Sequence, residues 1–151
     1  MKTKVIGIGN RIMRDDSIGI KVVEALKDQL RDLGFQVIIG ETDIEYTLNY
    51  IENGDYIIIV DSSLFGIEIG EVSVFKLNEL KEFSEKGYSL HQMSLVKILS
   101  NFSFLQIEGK LITIESSIID FGTELSKELE VKFDEIKEKV IAKIRLIKDT
   151  N

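Results

Sequence analysis

The chain has 151 residues but no cysteine, no proline, no tryptophan and only one histidine. Without cysteine there is no disulfide framework, no thiolate nucleophile and no cysteine-ligated zinc. One histidine allows a single imidazole ligand or general base, so any chemistry must lean on carboxylates, His91 and backbone groups. No hydrophobic run approaches the roughly 18 residues of a membrane span. The apolar stretch 5–9 is too short for the hydrophobic region of a signal peptide, so a soluble cytoplasmic protein is expected. Positive charge is also in short supply. Nineteen Lys+Arg against 26 Asp+Glu leave a net charge of −7, which would repel a nucleic acid or an anionic membrane surface. Neither is expected as a partner.

What is present suits one globular domain spanning 1–151. A hydrophobic content of 44% with 30% charged residues can bury a core without staples. No repeat, low-complexity segment or linker interrupts it. Short apolar runs rich in β-branched residues, at 4–8, 35–39, 56–60 and 111–114, read as strands. The stretch 71–75 alternates and reads as an edge strand. Between them, Gly19, Val23, Leu26, Leu30 and Leu33 recur at helical spacing, with Asp16 or Ser17 as the N-cap and Gly34 as the stop. A short helix is expected over 43–52 and another over 91–102. A last one carries Leu125, Leu129, Phe133, Ile136, Val140, Ile144 and Ile147 on one face, with Glu128–Lys132 and Glu135–Lys139 pairs on the other. Strands alternating with helices predict an α/β fold. We expect a single three-layer α/β/α domain with a mostly parallel twisted sheet and helices on both faces.

In such a sheet, ligands bind outside the carboxyl ends of the strands. Two polar segments must lie on that edge: Gly9 to Asp16 after the first strand, and Asp61 to Ser63 after the third. Asp15 and Asp16 at a helix start read first as anions favoured by the helix dipole. Asp61 closes an apolar strand, where a carboxylate needs a partner or a task. His91 begins a predicted helix. Together these residues offer an N,O,O donor set suited to a first-row divalent ion with open positions.

Other constellations are weaker. Gly7-Ile8-Gly9-Asn10-Arg11-Ile12 starts like a dinucleotide fingerprint, but its third glycine position holds Ile12. No Gly-Lys-Ser/Thr follows to make a P-loop. Ser62 or Ser63 with His91 and a carboxylate offers a hydrolytic triad, although no Gly-x-Ser-x-Gly elbow is present. Asp15, Asp16 and Asp61 also suggest a phosphoacceptor pocket, without the lysine expected after the fifth strand.

The segment Gly7-Ile8-Gly9-Asn10-Arg11-Ile12-Met13-Arg14-Asp15-Asp16-Ser17-Ile18-Gly19 resembles the N-terminal motif of the NiFe-hydrogenase maturation endopeptidases. Val60-Asp61-Ser62 matches the family's strand-end Val-Asp-Ala, and Ser89-Leu90-His91 matches its histidine near a helix start. The stretch 114–126, ending Gly122-Thr123-Glu124-Leu125-Ser126, is similar to its late strand and loop. Three positions depart from the pattern. Ser17 stands where glycine is usual, Glu41 replaces the second glycine of Gly-Gly-Thr, and Ser116 stands in place of a late proline.

The resemblance implies an endopeptidase that removes a C-terminal extension from the hydrogenase large-subunit precursor after nickel insertion. It implies Asp16, Asp61 and His91 as metal ligands and catalytic residues. Gly9, Asn10, Glu41 and Thr42 would then border the substrate. The Ni2+ would be carried by the precursor, with Zn2+ or Cd2+ able to substitute in vitro. The protein is expected to act as a monomer. Two readings of the hydrolysis stay open: the ion activates a carbonyl or water, or it only tethers the precursor while Asp16 or Asp61 acts as general base. A non-catalytic, metal-sensing binder of the precursor is the alternative to a peptidase.

Overall fold

The structure, a computed structural model, describes residues 2–79 and 107–151. The predicted helix over 91–102, and His91 with it, lie outside the described residues.

Five strands form one sheet: β1 (Thr3–Ile8), β2 (Gln36–Glu41), β3 (Tyr56–Ser63), β4 (Val72–Lys76) and β5 (Glu108–Glu115). Their order is β2-β1-β3-β5-β4. β1 pairs in parallel with β2 and β3, and β3 with β5. β4 runs antiparallel to β5 at the edge, which agrees with the alternating pattern at 71–75. β3 is buried along its whole length, as a parallel strand covered on both faces must be. That burial explains its unbroken apolar sequence.

The helices are α1 (Ile18–Ala25), α2 (Lys27–Asp32), α3 (Ile44–Leu48) and α4 (Lys127–Thr150), with a 3-10 turn at Arg14–Ser17 leading into α1. One face of the sheet packs against α1 and α4. There Val5, Ile58, Val60, Ile112 and Ile114 meet Ile18, Val22, Leu129, Ile136 and Ile144. Burying each such side chain contributes about 1.5–3 kcal/mol. On the other face Ile6, Ile8, Ile38, Ile57, Ile59 and Leu111 pack with Ile51 and Leu77. α3 lies on this side, since a Cβ at Gly40 would meet Thr47 Oγ1 at 2.3 Å and Ile6 Cγ2 at 3.6 Å.

Some local expectations shift. The first helical segment is divided at Leu26, whose ψ is 1°. The amides of Leu26 and Leu30 still reach Val22 and Leu26, so the apolar stripe continues through the break. α3 is shorter than 43–52, with Asp43 as its N-cap accepting from the Tyr46 amide at 2.9 Å. In α4, Lys139 pairs with Glu135 at 3.0 Å as its spacing predicts. Lys132 instead donates to the Ile69 carbonyl at 2.9 Å and reaches Glu68 rather than Glu128. A backbone acceptor on a neighbouring element outweighs an exposed pair on the same helix, which contributes only a few tenths of a kcal/mol. Among the described residues, no helix is long and apolar enough to cross a membrane.

Candidate active site

The glycines of the N-terminal motif set how closely α1 can approach β3. A Cβ on Gly19 would sit 2.5 Å from the Val60 carbonyl oxygen and 3.0 Å from Asp61 Cα. A Cβ on Gly9, whose φ is +144°, would sit 2.2 Å from the Asp16 carbonyl oxygen. Both contacts admit only glycine: the first lets α1 approach the end of β3, and the second brings the turn carrying Asp16 against the end of β1.

Asp15 and Asp16 do not cap α1. Ser17 is the N-cap residue, without a side-chain cap; its hydroxyl donates to the Arg14 carbonyl at 2.7 Å. Its φ of −86° is ordinary for any residue, so serine in the usual glycine place costs no strain. The two acids have separate tasks. Asp15 Oδ2 accepts from the Ser117 and Ile118 amides at 2.9 and 2.8 Å, and Oδ1 from the Ser126 amide at 2.6 Å. It therefore ties the loop after β5 and the start of α4 to the N-terminal turn. Arg14 and Lys21 add bonds to the Glu124 and Thr123 carbonyls.

Asp16 turns the other way. Its Oδ2 accepts from the Asn10 amide at 3.0 Å, and its Oδ1 from the Ser62 hydroxyl at 2.8 Å. Asn10 in turn accepts the Ile12 amide on its side chain, which shapes the loop around that contact. Asp61 does not end its strand, as expected from the sequence, but lies within β3, which continues to Ser63. The extension follows from register: Asp61, Ser62 and Ser63 pair with Thr113, Ile114 and Glu115 of β5. Asp61 Oδ1 accepts from the Ser62 amide at 2.7 Å. Both acids are at most 1% exposed, and Ser62 joins them, hydroxyl to Asp16 and amide to Asp61. The sequence suggested that these carboxylates converge but gave no role to Ser62 as the residue between them.

Ser63 is occupied elsewhere. Its hydroxyl donates to Glu115 Oε1 at 2.9 Å, and Glu115 also accepts the amides of Phe65, Gly66 and Ile67. This buried acid organises the loop after β3. No sequence pattern marks it, since its donors, one hydroxyl and three backbone amides, lie about fifty residues away. Ser116 uses its own amide to donate to the Ser63 carbonyl at 2.9 Å, a bond that the proline usual in the family could not make.

Glu41 has a φ of +52°. Its position therefore favours glycine, which is what the resembling family carries there. Arg11 bridges it, donating from Nε to Glu41 and from Nη1 to Glu24 at 2.8 Å. The Gly9 amide donates to the Glu41 carbonyl at 3.1 Å, so this corner abuts the motif loop. Thr42 is exposed in the turn that follows. Glu41→Gly relieves about 1–2 kcal/mol of left-handed strain. It also gives up an exposed ion pair of about 0–1 kcal/mol and adds about 0.4–1 kcal/mol of unfolded-chain entropy. The terms nearly cancel, and urea denaturation is expected to place the variant within about 1 kcal/mol of the parent. A loss well above that would show that the Arg11 bridge holds the corner.

Among the described residues, no three Asp, Glu or His side chains cluster to hold a metal. The third expected ligand, His91, lies outside them.

The family model for hydrogenase maturation proteases (HycI) matches residues 20–143. The hydrogenase 2 maturation protease of Escherichia coli is 26% identical over 96% of this chain and 92% of its own length. HupD of Rhizobium leguminosarum, a hydrogenase expression/formation protein, is 31% identical over 67% of this chain, which spans about half (51%) of that relative. Among solved structures, the NiFe hydrogenase maturation protease HybD of Thermococcus kodakarensis superposes with a TM-score of 0.75 at 28% identity, covering 94% of this chain and 98% of that one. With one family model spanning both Asp61 and most of the sheet, the chain belongs to the hydrogenase maturation protease family.

Proposed function

We propose that this protein is an endopeptidase that removes the C-terminal extension of a NiFe-hydrogenase large-subunit precursor after nickel insertion. One observation carries the reading. Two buried carboxylates from distant parts of the chain come to the same strand-end edge of this fold: Asp16, held by the Ser62 hydroxyl, and Asp61, the residue before Ser62 in β3. Their chemistry fits a divalent first-row ion, as two hard oxygens joined by the imidazole of His91. The nickel is cargo of the precursor, and Zn2+ or Cd2+ serve as probes with the chain alone. A divalent ion there supplies Lewis-acid activation of a scissile carbonyl or of a water.

The chain's own contribution is orientation. The Asn10 amide and the Ser62 hydroxyl fix both oxygens of Asp16, and the Ser62 amide fixes one of Asp61, before any precursor arrives. Either carboxylate can also accept a proton from a water in the cleft. Gly9, Asn10, Glu41 and Thr42 border the approach and contact the precursor segment.

Incubation with the nickel-loaded precursor tests this reading. The expected result is a shortened large subunit on a gel and, by mass spectrometry, a released C-terminal peptide. A precursor that binds but is never shortened would instead mark a non-catalytic binder. The His91→Ala variant is expected to leave the precursor intact; full processing by it would sink the three-ligand site.

A further inference from the structure

Three strands place oxygen-bearing side chains side by side at the site. Asp61 of β3 is in register with Thr113 of β5, and Thr113 is in register with Ser73 of β4. Residues in register share a face of the sheet. Alternation along β3 and β5 puts this row on the face of Ile57, Ile59 and Leu111. The row sits at the functional end, beyond those apolar side chains.

The next polar row in the same direction is Ser63 and Glu115, and it is internally satisfied. Ser63 donates to Glu115, whose remaining capacity is taken by three amides of the loop after β3. Thr113 differs. It is 1% exposed, yet among the described residues its Oγ1 has no hydrogen-bond partner. An unpaired buried hydroxyl is costly, and an apolar isostere would remove that cost. Valine has the same shape and suits a strand better than most residues. A hydroxyl kept here against that cost, beside Asp61, is explained by a partner that arrives with a ligand.

We propose that Thr113 is a ligand-contacting residue of the site, its hydroxyl hydrogen-bonding the hydration shell of the divalent cation that enters beside Asp61. The proposal rests on the cation reading given under the proposed function. Half-buried Ser73, on the far side of Thr113, marks the outward end of the same polar row.

Titration of the purified protein with Cd2+ alone, followed by calorimetry, tests it. Thr113→Val is expected to bind about tenfold more weakly, within the range for a group that supports metal ligands. Thr113→Ser, which restores a hydroxyl, is expected to bind like the parent. The apo Thr113→Val protein should melt no lower than the parent, because it loses an unpaired buried group. A merely structural threonine would give the reverse, a lower melting temperature with unchanged affinity.

Asp61→Asn separates the two ideas. If it abolishes Cd2+ binding while Thr113→Val leaves affinity at the parent value, the cation reading stands and the role of Thr113 is overturned. If Asp61→Asn binds like the parent, or the parent binds no Cd2+, the cation reading fails and the Thr113 proposal falls with it. Should Thr113→Val not fold, Thr113→Ala against Thr113→Ser gives the same comparison, and equal affinities overturn the proposal.

Discussion

Asp16→Asn and Asp61→Asn are expected to lower precursor processing by about 10² to 10⁴-fold, the range for loss of a positioned acid–base group, while the protein still melts near the parent temperature. The neighbouring Asp15→Asn is expected to act through stability instead. The difference lies in what each carboxylate accepts. Asp16 takes one backbone amide, from Asn10, and one hydroxyl, from Ser62. An asparagine there can face its oxygen to the Asn10 amide and its NH2 to Ser62, whose hydroxyl rotates to accept. Asp61 accepts the Ser62 amide on Oδ1, and the oxygen of an asparagine can accept it as well. Fold is preserved, but the negative charge and one oxygen donor are lost.

Asp15 has no such freedom. Both its oxygens accept backbone amides, three in all, and none of these can turn round. An asparagine must point its NH2 at one or two of them and leave them buried and unpaired, a cost of about 1–3 kcal/mol. Processing by single-turnover assay, beside urea denaturation, separates the two adjacent acids. An Asp16→Asn protein that processes at the parent rate would remove Asp16 from the site. An Asp15→Asn protein with unchanged stability would contradict its role as the tie between the N-terminal turn and α4.

A second large effect lies at the opposite end of β1. Lys4 and Asp55 form an ion pair of 2.6 Å in which both side chains are 4% exposed. Lys4 also donates to the Tyr50 carbonyl, and Asp55 accepts the Glu52 amide at 2.7 Å. Lys4→Met keeps the aliphatic stem but strands the Asp55 carboxylate in the interior. Breaking one half of such a pair costs about 3–5 kcal/mol. At about 2–4 °C per kcal/mol for a chain of this size, the melting temperature is expected to fall by about 6–20 °C. The double change Lys4→Met with Asp55→Leu should recover much of that, because two apolar groups leave no uncompensated charge.

Titration of Asp55 adds a pH signature. Burial by itself would push its carboxyl up, but the hydrogen bonds and charge of Lys4 and the Glu52 amide outweigh it and hold the group below its ordinary value. A carboxyl lowered by folding contributes stability that is present above the unfolded value of about 3.9 and lost as pH falls through the folded one. The stability advantage of the parent over the double variant is therefore expected to shrink below about pH 4. An advantage that is flat down to pH 2 would show that the pair is energetically silent.

The sequence by itself determined the class of fold and placed the motif loop and the end of the third strand on one edge of the sheet. Period-two and period-3.6 patterns depend only on local residue order, so 56–60 read as a buried strand and 71–75 as an edge. The stripe through Leu129, Ile136 and Ile144 likewise marked the last helix. The motif around Gly9, Asp16 and Gly19, and the acid at position 61, stood out as candidates because ligands of such sheets bind where strands end. Tertiary structure alone decided the rest, since the partners come from remote segments. Asp15 finds its donors at Ser117, Ile118 and Ser126, more than a hundred residues on, so the two acids looked equivalent in sequence. Pairing with β5, not β3's own residues, carried the strand past Asp61. Register across three strands, invisible in residue order, set Thr113 beside Asp61. Local order fixes which face a side chain takes; only the packed sheet supplies what that face meets.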